Sequence, residues 1–128
     1  MTATLDAQGI RLHRAGMGPA VVLLHPLGVD HRLWDFTVSR LQGRHTLLRY
    51  DFPGHGETPV PARGYGIPEL SAQLGVVLAR EGLAHAAVVG MSLGGLVAQH
   101  YAASAPLQVE KLVLVDTTPR YTDEMRGM

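Results

Sequence analysis

The residues of this chain best suited to chemistry are Gly90-Met91-Ser92-Leu93-Gly94-Gly95. An apolar run, Val88-Val89, stops at Gly90, one serine follows between glycines, and a segment with helical spacing that includes Leu96, Val97, His100 and Tyr101 begins at once. That order reads as strand, sharp turn and helix. A turn so tight strains the serine backbone and tolerates no Cβ two residues to either side, where the neighbouring strand and helix press in. It lifts the hydroxyl clear of the sheet, at a helix N-terminus whose free N–H groups and dipole favour negative charge. The chemistry this suits is attack of Ser92 on a carbonyl carbon, with the oxyanion stabilised at the helix end. A short Gly-x-Ser-x-Gly also arises in glycine-rich loops, and a serine at a helix start is often only a cap. The strand before and the helix after are the context a nucleophile requires, and they favour it over the cap. A dinucleotide-binding Gly-x-Gly-x-x-Gly loop starting at Gly90 would need glycine where Ser92 stands.

The elements that must position this turn can be read from hydrophobic patterning. Residues 2–14 alternate weakly around Gln8-Gly9 and predict a short hairpin at a sheet edge. Gly16 to Pro19 is a turn, and Ala20-Val21-Val22-Leu23-Leu24 is a continuous apolar run, as expected of a parallel strand covered on both faces, ending at His25-Pro26-Leu27-Gly28. Leu33, Trp34, Val38 and Leu41 predict a helix stopped by Gly43, and Thr46 to Tyr50 a strand ending at Asp51. Pro53, Pro59 and Pro61, with Gly54, Gly56, Gly64 and Gly66, make 51–66 a loop. Ile67, Leu70, Leu74, Val77 and Leu78 share one helical face, with Pro68 in the first turn and Gly82 past the end. Ala86 to Val89 feeds the serine turn, Pro106 closes the helix after it, Lys111 to Val115 is a last strand ending at Asp116, and 117–128 is polar and unassigned. Strands alternating with helices predict an α/β fold with a mostly parallel sheet and helices on both faces. In such sheets the ligand lies beyond the carboxyl ends of the strands, so the loops at Leu27 and Ser92 are expected to face one crevice.

Composition narrows the function classes. The 128 residues, 46% hydrophobic and 17% charged, fit one globular domain over 1–128 and no second one. Eleven basic and eleven acidic residues, unclustered, give no electrostatic case for nucleic acid or an anionic membrane. The absence of cysteine excludes disulfides, thiol catalysis and zinc–thiolate sites. His31, His45, His85 and His100 are scattered without metal-ligand spacing, so neither metal nor cofactor is expected. Met1 to Gly18 lacks the apolar core of a signal peptide and no apolar run reaches membrane-spanning length, so a cytoplasmic protein is expected.

The series His25-Pro26-Leu27-Gly28, Tyr50-Asp51-Phe52-Pro53-Gly54-His55-Gly56, Gly90-Met91-Ser92-Leu93-Gly94-Gly95 and Leu112-Val113-Leu114-Val115-Asp116 resembles the N-terminal half of an α/β-hydrolase. Within that superfamily it looks most like the 3-oxoadipate enol-lactonase and related esterase group, an impression to which Thr117-Thr118-Pro119-Arg120 contributes. The resemblance implies that Ser92 is the nucleophile, forming an acyl-enzyme, and that the backbone N–H groups of Leu93 and Leu27 form the oxyanion hole. Pro26 stands where many relatives have glycine, but the matching donor is the N–H of Leu27, so no required hydrogen bond is lost. Serine rather than aspartate at the turn argues for acyl transfer on esters, lactones or thioesters, with a small-molecule acyl substrate. His25 and His55 match positions that are structural in the family, and Asp51 is expected to fix the Pro53 to Gly56 turn.

The same resemblance marks what the sequence lacks. In the family order the acid and the histidine follow the nucleophile, after a helical cap and further C-terminal strands, and no histidine follows His100 here. Asp116 is the one acid candidate in pattern, the commoner placement being one strand later. The domain is therefore expected to be partial, and the strand ending at Asp116 to present an open edge. That edge would take a complementing C-terminal fragment or a second copy of the chain. The chain alone is expected to be inactive or weakly active. A non-catalytic half-domain that binds a partner or ligand through the same crevice is the competing reading.

Overall fold

The computed structural model describes residues 9–62 and 64–119. Five strands form one sheet: β1 (His13–Gly16), β2 (Ala20–Leu24), β3 (Thr46–Arg49), β4 (Ala86–Met91) and β5 (Val109–Val115), in the spatial order β1-β3-β2-β4-β5. Only β1 runs antiparallel to its neighbour, and the other pairings are parallel. The connections carry helices α1 (Asp35–Leu41), α2 (Ile67–Arg80) and α3 (Leu93–Ser104). A 3₁₀ turn at His31–Trp34 leads into α1, so the helix expected from Leu33 onward becomes fully α-helical only at Asp35. Of the expected hairpin, residues 1–8 lie outside the described residues. Of its remaining residues only His13 and Arg14 are in a strand, the edge strand β1, which runs on to Gly16, the first residue of the expected turn, and pairs with β3 from His13↔Arg49 to Gly16↔Thr46.

Period-two alternation explains how β2 is covered on both faces. Val22 and Leu24 pack with Leu48, Leu70, Leu74, Val88 and Val97, the face covered by α2 and α3. Val21 and Leu23 point the other way, onto Trp34, Val38 and Leu47 beneath α1. Helix α2 joins the larger cluster through its apolar stripe, and its ends are closed as the sequence suggests. The carboxylate of Glu69 accepts from the Gly66 N–H at 3.0 Å. At the other end the N–H groups of Gly82 and Leu83 donate to the carbonyls of Ala79 and Leu78.

Coverage stops at β5. It pairs with β4 from Ala86↔Val109 to Met91↔Val115, and its register partners show that Val113 and Val115 share the α1 face with Val89 and Met91. Leu112, Val113 and Leu114 remain 38%, 49% and 43% exposed, although three consecutive apolar residues in a strand are the mark of burial on both faces. Among the described residues β5 has no partner beyond β4.

The packing predicts a sharp contrast along α2. Leu74, fully buried, should lose about 2–5 kcal/mol of stability on truncation to alanine, whereas Val76→Ala on the exposed side should stay within about 0.5 kcal/mol in urea unfolding.

Candidate active site

Ser92 sits between the last residue of β4 and the first of α3 with φ 52° and ψ −112°, a left-handed conformation on a side chain that normally avoids it. Such a backbone costs on the order of 1–3 kcal/mol and persists only where its surroundings fix it. They do so from two directions. The Ser92 N–H donates to the Val115 carbonyl at 3.0 Å, which ties the turn to the carboxyl end of β5. The Ser92 carbonyl accepts from the N–H groups of Gly95 at 2.9 Å and Leu96 at 3.1 Å, and from the Thr117 hydroxyl at 2.8 Å.

Each glycine of the motif is where another backbone or side chain has to pass. A Cβ on Gly90 would strike the Gly94 carbonyl, and one on Gly94 would strike the carbonyls of Leu24 and His25 at the end of β2. On Gly95 it would land on the Thr117 side chain. The helix N-terminus is thereby wedged between the ends of β2 and β5. Because Gly94 touches the end of β2, the loop that starts at His25 adjoins the strand-to-helix turn at Ser92, hereafter the elbow, as expected from strand-end placement.

That loop is held by His25, a fully buried ring with both nitrogens committed. Nδ1 donates to the Pro26 carbonyl at 2.7 Å, and Nε2 accepts from the Phe52 N–H at 2.9 Å. Those partners require the neutral ring with its proton on Nδ1. Burial pulls the His25 pKa below its ordinary value, against the opposing effect of the Pro26 carbonyl. His25 is therefore a strut joining the first strand loop to the Asp51 loop. Leu27 lies just beyond it with its side chain exposed, before Gly28 in a left-handed conformation.

Asp51 organises the next loop. Its carboxylate accepts from the Glu57 N–H at 2.9 Å and the His31 N–H at 2.7 Å, and the His31 ring meets it at 2.9 Å. Burial alone would push the carboxyl up, but these donors outweigh it and hold its pKa below the ordinary value. The turn-fixing role expected of Asp51 is thus what the hydrogen bonds describe. The buried His31–Asp51 pair was not legible, since nothing in a 20-residue separation announces it. Asp30, His31 and Asp51 bring ligand atoms within 4.8 Å of one another. Their donors are already spoken for: Asp30 chelates the Arg32 guanidinium, which holds its carboxyl far below the ordinary range.

Of the candidate catalytic residues, Ser92 and Leu93 lie at the end of β4, and Leu27 lies in the loop after the adjacent strand β2, whose end touches Gly94. Asp116 lies at the end of β5 on the other side of β4, exposed, with φ 45°. The seven histidines of the chain have other engagements or locations. His13 bonds Glu57, His55 bonds the Pro53 carbonyl, His85 pairs with Glu110, and His100 meets Ser104 on α3. His45 precedes β3 at the opposite end of the sheet, with its Nδ1 buried. Two further residues of the site were missed as such: Thr117 entered only as part of the strand-end resemblance, with no contact to Ser92 implied, and Gln99 carried no signal in the sequence. Gln99 Nε2 donates to the Gly95 carbonyl at 3.2 Å and to the Thr118 carbonyl at 2.9 Å.

The two buried loop groups make the fold acid-sensitive in separate windows. His25 binds its proton less readily folded than unfolded, so its contribution to stability falls as pH drops through the ordinary histidine value of about 6.5. Asp51 contributes fully above the ordinary carboxylate value of about 3.9 and loses its contribution as pH falls through its lower folded value. In urea unfolding from pH 7 to 2.5, His25→Gln should flatten the first decline and Asp51→Asn the second, each at a cost to stability at pH 7.

Residues 19–128 match the family model described as alpha/beta hydrolase fold. The chain is 38% identical over 109 residues to a pimeloyl-(acyl-carrier protein) methyl ester esterase of Vibrio parahaemolyticus, a match covering 85% of this chain and 41% of that one. Among solved structures, a hydrolase from Pseudomonas aeruginosa superposes with a TM-score of 0.87 at 29% identity, over 91% of this chain and 45% of its own. The enol-lactonase from Burkholderia xenovorans does so with a TM-score of 0.84 at 30% identity, over 87% and 44%. The chain spans less than half the length of these relatives, and the matched part is their N-terminal half. With the strand order, the strained serine and a family match over residues 19–128 all in agreement, the chain belongs to the alpha/beta hydrolase fold family.

Proposed function

We propose that this chain is the nucleophile-bearing half of a serine hydrolase of carboxylic esters, with Ser92 as nucleophile and the N–H groups of Leu93 and Leu27 as oxyanion donors. The observation that carries the reading is the left-handed backbone of Ser92 at a strand-to-helix junction, a strained conformation that a mere helix cap does not need. Ser92 Oγ attacks the ester carbonyl carbon, its proton passing to a histidine base supplied by sequence outside these residues. The oxyanion forms at the N-terminus of α3, and on its collapse the C–O bond breaks while the base returns the proton to the departing alcohol. Water then repeats the sequence on the acyl-enzyme, releasing the acid. The likeness to methyl ester esterases favours an acyl methyl ester, and that to an enol-lactonase favours a lactone, as substrate. The acid is assigned to the commoner placement one strand later, in the complementing segment, with Asp116 as the one alternative within this half.

The exposed edge of β5 supports a dependent half-domain. Leu112, Val113 and Leu114 are the surface on which a complementing C-terminal segment, or failing that a second copy, would add its strand. The non-catalytic reading uses this surface and the crevice for binding alone. No described helix is long and apolar enough to cross a membrane, and we assign the protein to the cytoplasm.

Release of p-nitrophenol from p-nitrophenyl acetate separates the readings. With the complementing segment present, turnover should appear and Ser92→Ala should abolish it, a loss of at least about 10³-fold; equal rates in wild type and Ser92→Ala refute the nucleophile. Asp116→Asn lowers kcat by about 10³-fold or more if Asp116 is the acid, and by under threefold if the acid lies elsewhere. In sedimentation experiments Val113→Lys should weaken capture of the complementing segment, or self-association of the isolated chain, and unchanged association rules out β5 as the seam.

A further inference from the structure

We infer that Thr117, with Gln99 behind it, is a positioning residue that sets the orientation of Ser92. The inference rests on the reading of Ser92 as nucleophile. Among the described residues only two that are not glycine have positive φ, Ser92 and Asp116, and they end neighbouring strands. They belong to one hydrogen-bonded unit. The Ser92 N–H reaches the Val115 carbonyl, Asp116 turns the chain back over the elbow, and the next residue, Thr117, donates its hydroxyl to the Ser92 carbonyl. Strain kept at two linked positions is strain that the surroundings are built to hold.

The Thr117 bond is not needed to satisfy the Ser92 carbonyl, which already accepts from the N–H groups of Gly95 and Leu96 within its own helix. What the hydroxyl adds is a constraint from a second element, the end of β5, so that the peptide plane after Ser92 is fixed against both helix and strand. The fit is specific on both sides. Gly95 leaves the space that the Thr117 side chain fills, since a Cβ there would lie 2.5 Å from Thr117 Oγ1. Gln99, one helical turn on, clamps the segment by bonding both the Gly95 and Thr118 carbonyls. A rotation of the Ser92 peptide would swing Oγ relative to the helix N-terminus, and reaction rates depend steeply on such placement.

The test is steady-state kinetics on p-nitrophenyl butyrate, in the protein with its base-bearing segment present. Thr117→Val, which keeps the shape and removes the hydroxyl, should lower kcat about 3- to 10-fold with KM unchanged, the range expected for one hydrogen bond. Thr117→Ser restores the hydroxyl and should return kcat to within twofold of wild type. Gln99→Leu leaves Thr117 intact, loosens the segment behind it and should lower kcat two- to threefold, which decides the matter should Thr117→Val fail to fold. Wild-type kcat in Thr117→Val, or equal impairment in Thr117→Val and Thr117→Ser, overturns the inference while Ser92→Ala remains inactive. Turnover retained in Ser92→Ala overturns the nucleophile reading and this inference together.

Discussion

Everything in this half-domain converges on one close approach: the N-terminus of α3 is pressed between the backbone at the end of β2 and the Thr117 side chain just past β5. Gly94 lies against the carbonyls of Leu24 and His25, and Gly95 against Thr117. Only that intimacy allows Ser92 to be held at φ 52°, because the bonds that fix it come from the helix on one side and from Val115 and Thr117 on the other. The parallel sheet, the covered β2 strand and the buried His25 strut serve to keep those three chain segments in register.

Much of this was legible in the sequence because it depends on local signals. The glycine spacing around Ser92 announced the close approaches, and the apolar run Ala20 to Leu24 announced a strand buried on both faces. Helix α2 was readable at both ends from Pro68 and Gly82. What escaped was long-range and polar. The His31–Asp51 pair joins residues 20 apart, and the Thr117–Ser92 bond spans 25; neither leaves a periodic trace. Helix α1 began later than its apolar spacing suggested because Asp30 caps a 3₁₀ turn first, accepting from the Arg32 N–H.

The relation between the elbow and the open edge gives the fold its functional logic. β5 is both the last described strand and the element that anchors Ser92, through Val115 and Thr117. A strand added beside it, with the layers that would cover it, would shield Leu112 and Leu114 on one face and Val113 on the other, and would brace the segment that holds Ser92. On this account the acid and base arrive with the same structure that completes the sheet. On the proposed function, Ser92 and the N–H groups of Leu93 and Leu27 are held in this half, and the proton-transfer groups come from the rest.

The most direct test of the central claim is covalent trapping. The complemented protein is treated with a fluorophosphonate, and the adduct is mapped by peptide mass spectrometry. The account predicts one adduct per chain, on the peptide bearing Ser92, competed by ester substrate. A mapped adduct at another residue, or none while ester turnover persists, would contradict it.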